Sequence, residues 1–529
     1  MTSKLISDEP TEPQLTRAEA STSDSALLLE AYSPDMVRRE PGWDLRHGRT
    51  NYAFLVLAQG ASAVLAFASI WISTRYLGPA GYGGVVAIIA ASLAVGYLTV
   101  NWTAASLSRY GIEEFVETGK IAKTFWTRFL ILAPNLLLVL AASPLWLPRV
   151  ASWLHLSTQA YPLIISHIIT QALWIQVQQG LQGAKLMRWQ GGLQALERAL
   201  IFLILLVVAL SGMASLVSVT LAYILVPLAM CIVGLVRLRR LIYPGVTFDR
   251  ATLKRLIVFS VPLFPSSFIG YFSSNYLDAF FITRFLSVAA LGVYSVAYQL
   301  SGTVLQLPLL AGSLLLPLFV TLQTKAPGER LARFLGEVLP FLTLTWSVIC
   351  VSVAAVASYF VPLVFGPQFR ESATLLWPLM ANAALAAPVL MGYFPISNAK
   401  ATTYITFVNA TISASLNVAL DLILIPLYGL QGCAWATVIA FLASMIVTAY
   451  LVGRKVTANQ TWAPLATLPA LVGASVSLLY PSIAVAWAAS MLVAALLVYQ
   501  YRRSLAGGVA ALKAVGAFDR LFIMRRSFN

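Results

Sequence analysis

The 529 residues are 59% hydrophobic and only 10% charged, with a formal net charge of +15. A soluble domain carries roughly 25% charged residues, so most of this chain belongs in lipid. The basic residues are spread through short loops, which excludes a nucleic-acid-binding domain, and Cys231, Cys350 and Cys433 all fall in apolar stretches, which excludes a disulfide framework.

Residues 1–37 hold seven acids and two bases and only the short Ala26–Leu29 apolar run. They read as a disordered polar tail, not a signal peptide. A membrane-spanning helix needs about 20 mostly apolar residues. Fourteen stretches qualify: 52–74, 82–104, 125–147, 160–180, 192–211, 213–236, 256–282, 289–320, 335–364, 373–395, 402–426, 429–452, 463–480 and 482–500. None alternates in the short units of a membrane barrel strand. With the N-terminus cytoplasmic, the inside segments carry 27 Lys and Arg and the outside loops only four, Arg75, Arg149, Arg284 and Arg370. That bias predicts a multi-pass protein of the bacterial inner membrane with both termini in the cytoplasm.

Two of the four outside bases sit in a repeat. Thr74-Arg75-Tyr76-Leu77-Gly78-Pro79-Ala80-Gly81-Tyr82-Gly83, after span 1, matches Thr283-Arg284-Phe285-Leu286-Ser287-Val288-Ala289-Ala290-Leu291-Gly292, after span 7, at an offset of 209 residues. Ala184-Lys185 and Ala399-Lys400 echo it after spans 4 and 10. An offset of six spans keeps orientation, so the expected fold is all-α and polytopic, two six-helix lobes related by a pseudo-two-fold axis along the membrane normal plus two C-terminal helices. The domain reading is a tail at 1–49, an N-lobe at 50–240, a C-lobe at 241–455, spans 13 and 14 at 456–500, and a basic tail at 501–529.

Several spans carry polar residues at helical spacing. Span 11 has Thr402, Thr406, Asn409, Ser413, Asn417 and Asp421; span 7 has Ser267, Tyr271, Ser274 and Asp278; span 4 has His167, Gln171, Trp174, Gln178 and Gln182; span 1 has Asn51, Gln59, Ser62, Ser69 and Ser73. Two readings compete: glue between packed helices or the wall of a wet passage. The span 11 stripe reads as a wall, since glue seldom needs six polar residues in one line. The intramembrane charges are Arg128, Glu197, Arg198, Asp278, Glu337 and Asp421. Arg128, Glu197, Arg198 and Glu337 are placed near cytoplasmic ends, where they snorkel or pair locally; Asp278 and Asp421 are candidates for the pathway. Prolines 134, 262, 265, 308, 317 and 388 mark kinks. The chain has no phosphate-binding loop, no metal-ligand spacing among His47, His155 and His167, no nucleophile–base pair, and no loop longer than about twenty residues. It is therefore expected to be no enzyme and to use no cofactor or metal.

Arg75 to Gly83, and Asn417 to Ala434 at the junction of spans 11 and 12, resemble the signatures of the polysaccharide-exporting flippases of the multidrug/oligosaccharidyl-lipid/polysaccharide exporter superfamily. The resemblance covers roughly residues 50–500. It implies two lobes about a central cavity, a polyprenyl-pyrophosphate-linked oligosaccharide as substrate, transfer from cytoplasmic to periplasmic leaflet by alternating access, and ion coupling in some members. It implies Gly78, Gly81, Gly83 and Gly292 as turn and packing positions. For such a substrate, Tyr271, Tyr298, Gln299, Asn382 and Asn409 suit sugars, and Gln59, Gln171, Gln178, Asp278, Asn417 and Asp421 complete the expected pathway. Arg75 and Arg284 either hold the anion near the exit or anchor the helices. Partners are the lipid-linked oligosaccharide, membrane lipids, and a polysaccharide polymerase or export protein. The competing functions are an ion-coupled drug or metabolite antiporter, although span 1 lacks an acid, and a non-transporting scaffold of an assembly machine.

Overall fold

The computed structural model describes residues 45–99, 101–243, 248–261, 264, 276–325, 329–400, 402, 404–456, 462–480, 482–502 and 505–508, without the side chains of 45–59, 98, 276, 313, 314, 317, 318, 320–325, 329 and 330. It forms two compact units, Met1–Leu57 and Ala58–Asn529. In the first unit, residues 45–57 are helical.

All regular structure among the described residues is helical. In chain order the helices are α1 (Leu45–Thr99), α2 (Ala104–Thr118), α3 (Ala122–Ala141), α4 (Ser143–Trp153), α5 (Ala160–Gly183), α6 (Met187–Leu210) and α7 (Leu216–Leu238). Next come α8 (Arg250–Ser260), α9 (Tyr276–Phe285), α10 (Val288–Lys325), α11 (Glu329–Arg333), α12 (Leu339–Phe365), α13 (Arg370–Pro388) and α14 (Phe394–Ala399). The last four are α15 (Tyr404–Val456), α16 (Trp462–Leu465), α17 (Leu468–Leu479) and α18 (Ile483–Gln500). Among the described residues eleven helices are long and apolar enough to cross a membrane. With backbone bonds closed inside each helix, such segments are stable in lipid.

Two of the long helices are broken by glycine. Gly78 inside α1 has φ 65° and Gly429 inside α15 has φ 61°, a region that costs other residues a steric clash. Each break separates two of the predicted stretches, spans 1 and 2 and spans 11 and 12. After Gly429 the chain doubles back so tightly that a Cβ on Gly432 would stand 2.0 Å from the Leu424 carbonyl oxygen. About half of span 7, with Pro262 and Pro265, lies outside the described residues, which therefore do not fix the total at fourteen. Helices also occupy connections where no span was expected: α2 lies between spans 2 and 3, and α4, with Pro144 in its first turn where a missing N–H costs nothing, runs from the end of span 3 toward span 4.

The packing core is α13, which α10, α12, α15 and α17 surround. Its residues Ala373, Ala381, Ala383, Ala384, Ala386 and Ala387 are buried, and small side chains let helices approach closely where lipid supplies no hydrophobic drive. Past Pro388 the helix loosens into a π-turn, Val389–Tyr393. Gly312 of α10 packs on it so closely that a Cβ there would meet the Leu390 carbonyl oxygen at 2.1 Å. At the ends rich in Lys and Arg, α8 is capped by Asp249, whose carboxylate accepts from Thr252 N at 2.9 Å and pairs with Lys123 Nζ at 2.8 Å. Lys123 lies on α3, so this pair and the Ile121 N to Leu241 O bond fasten the segment after α7 to the α2–α3 turn.

Candidate substrate cavity and buried carboxylate site

The two motif copies meet. Gly83 and Gly292, equivalent under the 209-residue offset, lie against one another: a Cβ on Gly83 would stand 1.9 Å from the carbonyl oxygen of Val288, and one on Gly292 would stand 2.1 Å from that of Pro79. Val288 and Pro79 are themselves equivalent, so the contact is reciprocal. Two indoles repeat the relation within two residues: Trp71 Nε1 donates to Val364 O at 2.9 Å, and Trp153 Nε1 donates to Phe280 O at 3.0 Å. The motif arginines cross over as well. Arg284 lies 5.4 Å from the Trp153 ring centroid, a cation–π contact, and Arg75 Nη1 approaches Gly366. At this end, which we term the motif end, the two repeats are clasped backbone to backbone.

Beginning at Tyr82, beside the clasp, a cavity of about 520 Å³ runs along α1 as far as Tyr97. Its lining combines Ser62, Ser69, Tyr82 and Tyr97 of α1, His167, Gln171, Trp174 and Gln178 of α5, Gln194, Glu197 and Arg198 of α6, and Tyr223 of α7. All lining residues but Gln299 come from the first repeat. The wall follows from the spacing on α5, where steps of three and four put His167, Gln171, Trp174 and Gln178 on one face. Trp174 Nε1 donates to Glu197 Oε2 at 2.9 Å, and both side chains are buried. His167 is 3% exposed and its Nδ1 has no hydrogen-bond partner. A wall of amides, hydroxyls and aromatic rings suits a hydroxyl-rich ligand.

A second constellation is wholly buried. Asp278 of α9 and Asp421 and Cys433 of α15 place ligand atoms within 4.8 Å of one another. Asn417 Nδ2 donates to Asp421 Oδ2 at 2.6 Å and to Asp278 Oδ1 at 3.4 Å, and Tyr294 Oη donates to Asp278 Oδ2 at 2.7 Å. Two carboxylates this close, with no Lys or Arg bonded to either among the described residues, need a proton or a cation between them. The donor set, two carboxylates beside a thiol with the Asn417 amide alongside, fits a proton or a small hard cation better than a soft metal.

Known families and folds agree with this architecture. The sequence matches a family model described as polysaccharide biosynthesis protein over residues 49–323. This chain belongs to the polysaccharide biosynthesis protein family. Its fold is similar to a structure titled lipid II flippase MurJ in an inward closed conformation, with a TM-score of 0.64 at 13% identity, covering 85% of this chain and 99% of that one. It is also similar to the Vibrio cholerae MATE transporter VcmN D35N mutant, with a TM-score of 0.50 at 13% identity, covering 77% and 97%. No curated protein sequence matches the chain. The family match takes in Arg75–Gly83 and ends before Asn417–Ala434, and the two structures show a shared fold.

In this polysaccharide biosynthesis protein the expected pathway residues divide into groups. Gln171, Gln178 and Gln299 line the cavity. Asp278, Asn417 and Asp421 form the carboxylate site. Asn409 is buried and donates to Thr448 Oγ1 at 2.8 Å, a bond within the α15 hairpin, and Asn382 is buried with an unpartnered Oδ1. Tyr298 is half-buried, 5.9 Å from the Tyr294 ring. Arg75 and Arg284 belong to the clasp. Tyr271 and the Gln59 side chain lie outside the described residues. The span 11 stripe contributes nothing to the cavity wall, and Asn409, Ser413, Asn417 and Asp421 are buried among helices.

Three charges depart from their expected placement. Because α6 begins at Met187, five residues before span 5, Glu197 and Arg198 lie about three turns into the helix, not near its end. Arg128 does not snorkel: it is 0% exposed, bonded through Nε to Thr103 Oγ1 at 3.3 Å and through Nη1 to Gln176 Oε1. Glu337 does pair locally, with Arg333 at 3.1 Å. Cys433 and Tyr294 were absent from the expected site because an apolar run and a span boundary carry no local sign of a partner far along the chain.

Proposed function

We propose that this protein is a flippase that carries a polyprenyl-pyrophosphate-linked oligosaccharide from the cytoplasmic to the periplasmic leaflet of the bacterial inner membrane, for surface or exopolysaccharide export. The observation that carries the reading is a polar, aromatic-lined cavity of about 520 Å³ inside a membrane bundle whose motif end is closed by backbone contact. Alternating access needs a site that faces one side while the other is sealed. On this reading the motif end is periplasmic, the cavity admits the sugar head from the cytoplasmic leaflet, and the isoprenoid tail stays in lipid. Gln171, Gln178, Gln194 and Tyr97 then exchange hydrogen bonds with sugar hydroxyls, and Trp174 offers an apolar face.

The pair Asp278 and Asp421 supports coupling to a proton or cation gradient, since neutralising it changes what α9 and α15 can bury. The same pair would serve an ion-coupled antiporter of the superfamily, and a scaffold that transports nothing would need neither pair nor cavity. Deleting the gene separates the three. Accumulation of lipid-linked repeat units on the cytoplasmic leaflet is the expected result. Drug sensitivity with normal polysaccharide points to antiport, and loss of polymer with normally flipped units points to a scaffold.

A further inference from the structure

Arg128 of α3 is 0% exposed and carries a charge that burial cannot remove, because a guanidinium keeps its proton. It lies six residues past Ala122, the first residue of α3, about two turns inside the bundle. Its bonded partners are neutral: Nε donates to Thr103 Oγ1 at 3.3 Å and Nη1 donates to Gln176 Oε1. Nη2 is buried and has no partner. No Asp or Glu pairs with Arg128 among the described residues. The acids of the adjoining turns are engaged elsewhere. Arg255 pairs with Glu113 at 2.6 Å, Lys123 Nζ pairs with Asp249, and Glu114 accepts from the Lys123 and Thr124 amides. A buried charge without a counter-charge is strongly destabilising.

The unpartnered nitrogen has a neighbour suited to the same ligand. Nε–H and Nη2–H leave the guanidinium along one edge. Thr103, 1% exposed, accepts at Nε, and its own hydroxyl proton has no acceptor among the described residues. We propose that Arg128 Nη2 and the Thr103 hydroxyl hold a small monovalent anion, chloride, as the counter-charge of the guanidinium. The packing of α2, α3 and α5 on one another encloses the site, so a halide suits it and a lipid phosphate with its chain does not. None of Thr103, Arg128 and Gln176 lines the cavity. The site braces that cavity from behind: Gln176 lies on the side of α5 away from Trp174 and Gln178, and its Nε2 donates to Phe125 O at 3.0 Å. The bound anion thereby fixes the helix that carries the polar wall. The inference concerns charge balance in the first repeat and stands whether or not the protein is a flippase.

The test uses the full-length chain in detergent and sodium gluconate, titrated with sodium chloride or sodium bromide at constant ionic strength. Thermal unfolding is followed by tryptophan fluorescence. Wild type should show a saturable rise in unfolding temperature with either halide. Arg128→Met, which keeps most of the side-chain length and loses the charge, should lose that response. In gluconate it should unfold no earlier than wild type, since the uncompensated charge is gone. Thr103→Val keeps the charge and removes the hydroxyl, and should raise the halide dissociation constant severalfold. Crystals of the wild-type protein grown in bromide should give an anomalous peak beside Arg128 Nη2, a readout that needs no variant. No halide response in wild type, an unchanged response in Arg128→Met, or bromide found only at exposed lysines and arginines overturns the assignment.

Discussion

Gly83 and Gly292 occupy the same position in the two motif copies and touch each other, each leaving no room for a Cβ against the backbone of the opposite repeat. The obstructing atoms are carbonyl oxygens of Val288 and Pro79, which cannot swing aside as a flexible side chain would. The conformational freedom of glycine is not the issue here; both residues are needed for close approach.

The first prediction concerns this pair. Gly83→Ala or Gly292→Ala should prevent full closure of the motif end at a cost of about 1–3 kcal/mol or more. Export should fall severalfold at normal protein levels. A thiol placed by Tyr82→Cys, at a site now 3% exposed, should become more reactive toward a membrane-impermeant reagent in the Gly292→Ala background. Unchanged labelling would detach the glycines from any seal.

A second prediction takes the indoles and arginines. Trp153→Phe keeps the ring and loses one hydrogen bond to Phe280 O, worth about 1 kcal/mol. Arg284→Ala removes the cation–π contact, worth about 0.5–1 kcal/mol at an exposed site. The double variant Arg75→Ala with Arg284→Ala should therefore reduce export modestly and raise the same thiol labelling. Full export by the double variant would remove both arginines from the mechanism.

The third concerns the buried acids. Asp421→Asn and Asp278→Asn should each abolish gradient-driven export while the protein inserts normally, because an amide takes up no proton and brings no negative charge to offset a cation. Asp421 is 0% exposed, so membrane levels must be measured alongside export. Normal export by Asp421→Asn at wild-type levels would place the residue among packing groups.

A fourth uses pH at the opposite end of the bundle. The Lys123 ammonium, with help from Thr252, holds the Asp249 carboxyl below the usual carboxylate range. A depressed folded value stabilises above the unfolded value, roughly pH 3.9, and that stabilisation is lost as pH falls through the folded one. Hydrogen exchange in the Asp249–Leu253 turn should thus be slower in wild type than in Asp249→Asn near neutral pH, and the two should converge only in strong acid. The pair is solvent-exposed, so the effect should also shrink in high salt. No difference between the two proteins at neutral pH would show that the pair holds nothing.

Much of the fold was legible because lipid imposes it: length and apolarity locate helices, and a ten-residue pattern with five identical positions announces the repeat. The motif glycines were read as packing positions, but that they pack on each other follows only from the axis, which no local pattern contains. The cavity face of α5 was visible as polar residues in steps of three and four. The carboxylate site was visible only in pieces. Asp421 has no neighbour in sequence to explain it, because its partner Asp278 lies 143 positions away. An error of five residues in the start of α6 hid the most telling charge. It moved Arg198 from the middle of the helix to a place where an arginine needs no explanation.

The reciprocity of the clasp has a kinetic consequence. A joint whose two faces are copies of each other, arranged around one line, has no first side and second side to release. If the flippase reading holds, the Gly83–Val288 and Gly292–Pro79 contacts, being copies of one another, are expected to part together when this end opens.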